Sequence, residues 1–245
     1  SAASDVYTGQ PQALTALIDA TWPAKSFAHL DGWTIRNGAG GGSRVSAASQ
    51  LEPDATLTSA EVTMRALGQT PLFMVRHGED TLDKTLDSAG YRITDPETYY
   101  TAPLAQITTQ RPPTVTCFQV WPPLATQAEI WDAGGIDDAR LAIMARAAGP
   151  KTTVLGRVHD TPSGTAFGAI YDGTAMLHAI ETAHAFRRQG LGRHMIRALA
   201  FWAQERDAHT ISLLVTKANV AANALYTSLG LTPVGGYHYR IHPEA

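Results

Sequence analysis

One cysteine, Cys117, stands in 245 residues. No internal disulfide can form, and a reducing, cytoplasmic setting is expected. No stretch approaches the ~20 apolar residues of a transmembrane helix, so no membrane contact is expected. Ser1-Ala2-Ala3-Ser4 has neither the charged start nor the apolar core of a leader, and none is expected there. Charge is scarce at 17%, with a net value of -3, which excludes a general nucleic-acid-binding surface. Metal-ligand spacing is missing as well. His29, His77 and His184 stand apart, while His238 and His242 flank an alternating, strand-like tail from Tyr237 to Ile241. No metal is expected. Gly38-Ala39-Gly40-Gly41-Gly42-Ser43-Arg44 lacks the Lys-Ser/Thr ending of a P-loop. It reads as a loop after the strand Gly32–Arg36, one that could border a substrate pocket.

The chain does have apolar residues, 44% of it, enough for one large domain or two small ones. Its most informative stretch is Arg187-Arg188-Gln189-Gly190-Leu191-Gly192-Arg193, at the head of an apolar-periodic helix. The apolar run Ala175-Met176-Leu177-His178-Ala179-Ile180 comes before it. A strand feeding a glycine turn that opens a helix suits a phosphate, because first-turn N–H groups have no intrahelical acceptor. The three arginines add charge that no neighbouring acid neutralises. A dinucleotide fingerprint needs a third glycine, but Met195-Ile196 stands where the helix would pack closely on its strand.

A short buried strand is expected over Ile211–Val215, then Lys217-Ala218-Asn219, then a helix from Ala221 to Leu229 closed by Gly230. Arg187-x-x-Gly190-x-Gly192, Asn219 and Ala224-Leu225-Tyr226-x-x-Leu229-Gly230-Leu231 follow one another in order and spacing. In these pieces the chain resembles the GCN5-related N-acetyltransferase (GNAT) superfamily, from about Thr114 onward. The resemblance implies an α/β fold. Its mixed sheet is mostly antiparallel, with one splayed parallel strand pair, and helices flank it.

An internal repeat accompanies the motif. Phe73–Glu79 aligns with Leu213–Asn219, and Leu82–Tyr91 continues without a gap onto Ala222–Leu231. Both copies read strand, turn, helix, glycine, strand. Leu86 replaces Tyr226 and Glu79 replaces Asn219 in the first copy, which has no Arg-x-x-Gly-x-Gly. Its helix, Thr58–Gly68, is expected to bury Val62 and Leu67, with Met64 and Ala66 as further candidates. Two tandem modules are expected: residues 1–110, degenerate and without a cofactor motif, and residues 111–245, the cofactor-binding module. The crossing is rich in proline (Pro103, Pro112, Pro113, Pro122, Pro123). In the second module a strand is expected over Val115–Trp121 and a helix over Ile136–Ala148. A hairpin, Thr152–Val158 with Thr165–Tyr171, should turn at Asp160–Gly164.

The resemblance implies transfer of an acetyl group from acetyl-CoA to a primary amine of a small molecule, amino acid or peptide N-terminus. By position, the backbone of Ile180 and Thr182 would bond the pantetheine arm. The amides of Gln189, Gly190, Leu191, Gly192 and Arg193 would hold the pyrophosphate, with Arg187 or Arg188 beside it. In the alternative, Arg193 would meet the ribose phosphate. Tyr226 would sit near the sulfur and protonate the departing thiolate. Asn219 would bond the pantetheine or cap its helix; capping alone would explain it. The glutamates that some members use as a base are replaced by Met176 and Leu214. His178, two residues beyond Met176, is slightly favoured as the base over Glu181, which has the opposite parity unless a bulge flips it. Water alone is a third option. Tyr237, Tyr239 and Arg240 line the acceptor pocket in one reading and the surface in another. The second hypothesis, from the missing glutamates, is a catalytically silent acyl-CoA-binding or sensory module; Tyr226 favours catalysis. A homodimer is left open.

Overall fold

The computed structural model describes residues 11–244; Ser1-Ala2-Ala3-Ser4 lies outside them. The first half runs α1 (Pro11–Thr21), β1 (Ser26–Leu30), β2 (Trp33–Asn37), β3 (Ala48–Gln50), α2 (Leu57–Ala66), β4 (Leu72–Arg76), α3 (Asp80–Ser88), β5 (Arg92–Pro103) and the single turn α4 (Leu104–Ile107). The second runs β6 (Cys117–Val120), α5 (Ala125–Ala133), α6 (Asp138–Arg146), β7 (Lys151–Val158), β8 (Thr161–Tyr171), β9 (Thr174–Thr182), α7 (Leu191–Gln204), β10 (Thr210–Thr216), α8 (Val220–Ser228) and β11 (Thr232–Ile241). The repeat appears as matched elements: α3 and α8 are both nine residues long and begin at aligned positions.

All the strands form one 11-stranded sheet in the order β1-β2-β3-β4-β11-β5-β10-β9-β8-β7-β6. The two halves exchange their last strands. β5 leaves the first half to pair with β10, and β11 leaves the second to pair with β4. β5 and β11 then pair with each other at the centre, Tyr237 opposite Glu97. The proline-rich crossing after residue 103 therefore separates two stretches of sequence but no gap in the sheet. β3·β4 and β9·β10 are the parallel pairs; every other neighbouring pair is antiparallel.

Alternation along each strand divides the core between the two faces. On one face α1 lies across the exchanged strands, Leu14, Leu17 and Ile18 packing with Met74, Tyr99, Met176, Tyr237 and Tyr239. α5 and α6 continue that face through Trp131, Ile143 and Met144, against Trp22 and Phe167. The other face carries α7 and α8 over Ala175, Leu177, Ile211 and Leu213. α2 and α3 cover Phe73 and Val75 on that same face. Tyr237, Tyr239 and Arg240 are all buried, so none is a surface residue. Arg240 fastens β11 to α3 through Asp83, Asp87 and the carbonyl of Tyr91.

Three expectations are corrected. α2 buries Ala60 and Met64, a spacing of four, and leaves Val62 and Leu67 exposed. The hairpin turns at His159-Asp160, both with positive φ, so Thr161–Gly164 belongs to β8. Two left-handed residues match the twist of the flanking strands, which a longer loop would not need to do. Helix α5 was not expected at all, because Pro122-Pro123 just upstream reads as linker.

The close packing that a third helix glycine would supply comes from the sheet. A Cβ at Gly156 or Gly164 would lie 2.9 Å from Leu191 and about 3.0 Å from Met195, and one at Gly168 would lie 3.0 Å from Leu199. Leu191, Met195 and Leu199 form an i, i+4, i+8 stripe of α7 that rests on these three glycines.

Candidate active site

β9 and β10 pair from Thr174/Thr210 to Leu177/Leu213 and then part, although β9 runs on to Thr182 and β10 to Thr216. The other edge of β9 stays paired to β8 as far as Thr182/Gly164. The stretch from His178 to Thr182, which contains Ile180, thus offers one backbone edge to a ligand, as an added strand would require. Beyond it the chain makes a short turn, His184–Phe186, and enters α7. Gly190 takes φ 83° as the residue before α7, and no side chain caps the helix. Backbone bonding inside α7 begins with His194 N–H to the Gly190 carbonyl. The amides of Leu191, Gly192 and Arg193 therefore form an uncapped positive helix end. Gly192 has a second role: a Cβ there would lie 3.2 Å from Leu225, so its absence lets α8 approach.

The arginines of the turn differ. Arg187 bonds the Thr182 carbonyl and pairs with Glu181 at 3.0 Å, so an acid neutralises it, contrary to expectation. Arg193 bonds Ser228 on α8 at 2.8 Å. Arg188 is exposed, has φ 65°, and has no side-chain partner among the described residues. A non-glycine residue in that region costs roughly 1 kcal/mol, strain of the kind that collects at ligand clamps.

β9 carries a bulge. Phe167 pairs with His178 and Thr165 with Glu181, so β9 holds one residue more than β8 between them. Ala179 takes φ 50° there. The extra residue returns Glu181 to the face of His178, the face covered by α1 and α5. Glu181 is mostly buried, and its carboxyl lies against Gly134 at the end of α5. Trp131, fully buried on α5, donates its indole N–H to the Ala179 carbonyl at 2.8 Å.

His178 sits deeper. Its ring stacks on Trp22 with centroids 4.9 Å apart. Nε2 lies 2.9 Å from Thr21 Oγ1, whose own hydrogen goes to the Leu17 carbonyl. That assigns the proton to Nε2, which donates to Thr21. Nδ1 faces an Arg44 nitrogen at 3.5 Å. Burial, and then the Arg44 charge, hold the imidazole well below its usual value, so it is neutral. Arg44 ends the glycine-rich loop of the first half and also bonds Glu97 at 2.6 Å and Tyr237 at 3.1 Å. The loop itself packs on α6, where a Cβ at Gly41 would lie 2.5 Å from Ile143.

Tyr226 projects from α8 into the core that contains Leu177 and Val215, edge-on to Tyr100 at 5.8 Å. Burial, then Tyr100, pushes its phenol up to about 12. Its hydroxyl has no hydrogen-bond partner among the described residues. Asn219 caps α8, accepting from the Ala222 amide at 3.1 Å. Sequence reading missed Trp131, Gly134 and Thr21, whereas Arg44 ends the loop expected to border a pocket. Only tertiary packing joins the first three to β9, and no local pattern marks them. No group of three or more His, Cys, Asp or Glu among the described residues is placed to hold a metal, and no described helix is long and apolar enough to cross a membrane.

A splayed parallel pair thus leads to an uncapped helix behind a glycine turn, with a buried tyrosine on the next helix. Residues 115–231 match the Acetyltransferase (GNAT) family model. That segment belongs to the GNAT superfamily. It is 36% identical over 94 residues to YobR of Bacillus subtilis, described as an uncharacterized N-acetyltransferase; the match spans 38% of each chain, so well under half of that relative is covered. A GCN5-related N-acetyltransferase from Kribbella flavida shares the fold with TM-score 0.71 over 96% of both chains at 17% identity. A tandem GNAT protein from the clavulanic acid biosynthesis pathway shares it with TM-score 0.57 at 13% identity, over 75% of this chain and 67% of that one.

Proposed function

We propose that the protein moves an acetyl group from acetyl-CoA to a primary amine of a small molecule, amino acid or peptide N-terminus, by direct attack on the thioester. The observation that carries this is the open edge of β9 opposite β10, ending at an uncapped helix. The edge suits an extended amide-bearing arm, bonded by the backbone of Ile180 and Thr182. The amides from Gln189 to Arg193 suit a pyrophosphate. Arg188, with no side-chain partner among the described residues, is the arginine best able to pair with it, while Arg193 is held by Ser228. Asn219 serves α8 as its cap.

In this reading Tyr226 supplies a proton to the departing thiolate. A phenol raised to about 12 stays protonated across the working range, and its unpartnered hydroxyl can donate to sulfur. The proton of the attacking amine goes to Glu181, directly or through water. This reverses the order favoured by strand parity. His178 is neutral, but its Nε2 already carries a proton and its Nδ1 faces a guanidinium. Glu181 lies on the same face because of the bulge; it carries no proton in its ion pair with Arg187 and is more open to solvent than His178. The first half, residues 1–110, acts as a scaffold that lends β5 to the second module, residues 111–245, and covers His178 with α1 and Arg44.

Calorimetric titration with acetyl-CoA tests the reading. The native chain should bind it in the micromolar range, and Arg188→Ala/Gly190→Asp should not, while keeping its circular dichroism spectrum. Thiol release against a panel of primary amines then reads turnover. Binding without turnover on any amine would instead favour a silent acyl-CoA-binding module. No binding to the native chain would overturn both.

A further inference from the structure

We propose that α5 sets the carboxylate of Glu181, with Trp131 and Gly134 as positioning residues; this rests on Glu181 as the proton acceptor. Gln127, Trp131 and Gly134 are i, i+4 and i+7, one stripe of a single helix face. Each meets β8 or β9 at a different point around the bulge. Gln127, fully buried, donates to Thr165 Oγ1 at 3.0 Å and to Thr153 Oγ1 at 3.0 Å. Thr165 is the strand partner of Glu181. Trp131 bonds the carbonyl of Ala179, the left-handed residue of the bulge. Gly134 leaves the space that the carboxyl fills: a Cβ there would lie 2.7 Å from Cδ, 2.8 Å from Cγ and 2.9 Å from Oε2 of Glu181.

The three contacts divide the work. Gln127 holds the strand beside Glu181, and Trp131 holds the bulge that turns Glu181 toward the α5 face. Gly134 sets how far the carboxyl reaches. Arg187 closes the remaining side with its ion pair at 3.0 Å. Gly134 has φ -90°, so alanine fits its backbone. The atoms an alanine would meet belong to the far end of a flexible side chain. The substitution should therefore move the carboxyl and leave the fold intact, which separates positioning from a general packing role.

The test uses the full chain with acetyl-CoA and an amine that supports thiol release. Glu181→Gln comes first, and its loss of turnover is the premise. Gly134→Ala should then lower kcat about 100-fold, the scale of a small misplacement at a reacting group. KM for acetyl-CoA and the melting temperature should stay near native values. The acid limb of the rate profile should shift, as should the Glu181 carboxyl resonance in a 13C NMR titration, identified by its loss in Glu181→Gln. Gly134→Ala/Glu181→Asp withdraws the carboxyl by one methylene and should recover part of kcat. Trp131→Phe keeps the ring but removes the N–H, and should move the same limb and resonance. If Glu181→Gln is inactive while Gly134→Ala and Trp131→Phe keep the native rate profile, the positioning role is overturned and the proton acceptor stands. If Glu181→Gln turns over like the native chain, both fall.

Discussion

Replacing His178 with glutamine separates burial from chemistry. Glutamine can keep a donor toward Thr21 and an acceptor toward Arg44, and it does not titrate. His178 is 3% exposed, and burial together with Arg44 lowers its proton affinity in the folded state. The unfolded chain takes up a proton near pH 6.5 and the folded chain does not, so stability is full above that pH and falls below it. The loss is about 1.4 kcal/mol for each pH unit until the folded-state value is reached. Urea midpoints measured from about pH 7.5 to about pH 5.5 should show the native chain losing about 1.4 kcal/mol more than His178→Gln over the whole range, about 1 kcal/mol of it in the lowest unit. Other histidines cancel in this difference. Asp83 acts elsewhere: Arg240 holds its carboxyl below the usual 3.8, so its contribution is present above that pH and fades only below it. Parallel pH curves for the two proteins would refute a neutral, buried His178. Native stability with acetyl transfer abolished would refute the assignment of the base to Glu181 and return it to His178.

Other outcomes follow from the same geometry. Tyr226→Phe should leave the urea midpoint within about 0.5 kcal/mol, since an unpartnered hydroxyl is lost, while turnover falls about 10²–10⁴-fold; native turnover would remove the acid role. Gly164→Ala should destabilise by about 1–3 kcal/mol in urea melts, because its Cβ would press on Leu191 and Met195. An unchanged midpoint would mean that α7 lifts freely from the sheet. A chain ending at Leu231 leaves facing edges of β4 and β5 without their partner. It should aggregate on size-exclusion chromatography, and a monodisperse, folded product would show that β11 is dispensable.

The elements nearest the glycine turn were legible because each carries a local signature. β9 is an apolar run, Gly190 precedes a helix, Asn219 caps, and Gly230 with φ 94° follows one. The repeat was legible for the same reason: Asp80–Ser88 and Val220–Ser228 share register. Strand exchange was not legible. Nothing local in Arg92–Pro103 distinguishes pairing with its own half from pairing with β10. The bulge was foreseen only as a condition on Glu181. The tryptophan that bonds it, on a helix that sequence reading missed, is a long-range contact. Val62 and Leu67 misled because apolar residues on a short surface helix need not face its core, and the packing of β2 and β4 chose Ala60 and Met64 instead.

The exchange of strands also sets an order of events during synthesis. β5 is flanked in the finished sheet by β10 and β11, which begin at Thr210 and Thr232. At about 5–20 residues per second, β5 waits roughly 5–20 s on the ribosome before its first partner exists. β11 is antiparallel to both β4 and β5, so those two run in the same direction with a slot one strand wide between them. Early pairing of β4 with β5 would close that slot to the strand made after them. Asp95-Pro96 forms a bulge in β5 near its start, with Asp95 at φ 45°. A nascent chain of this topology keeps an unfilled place at its centre until its final strand emerges.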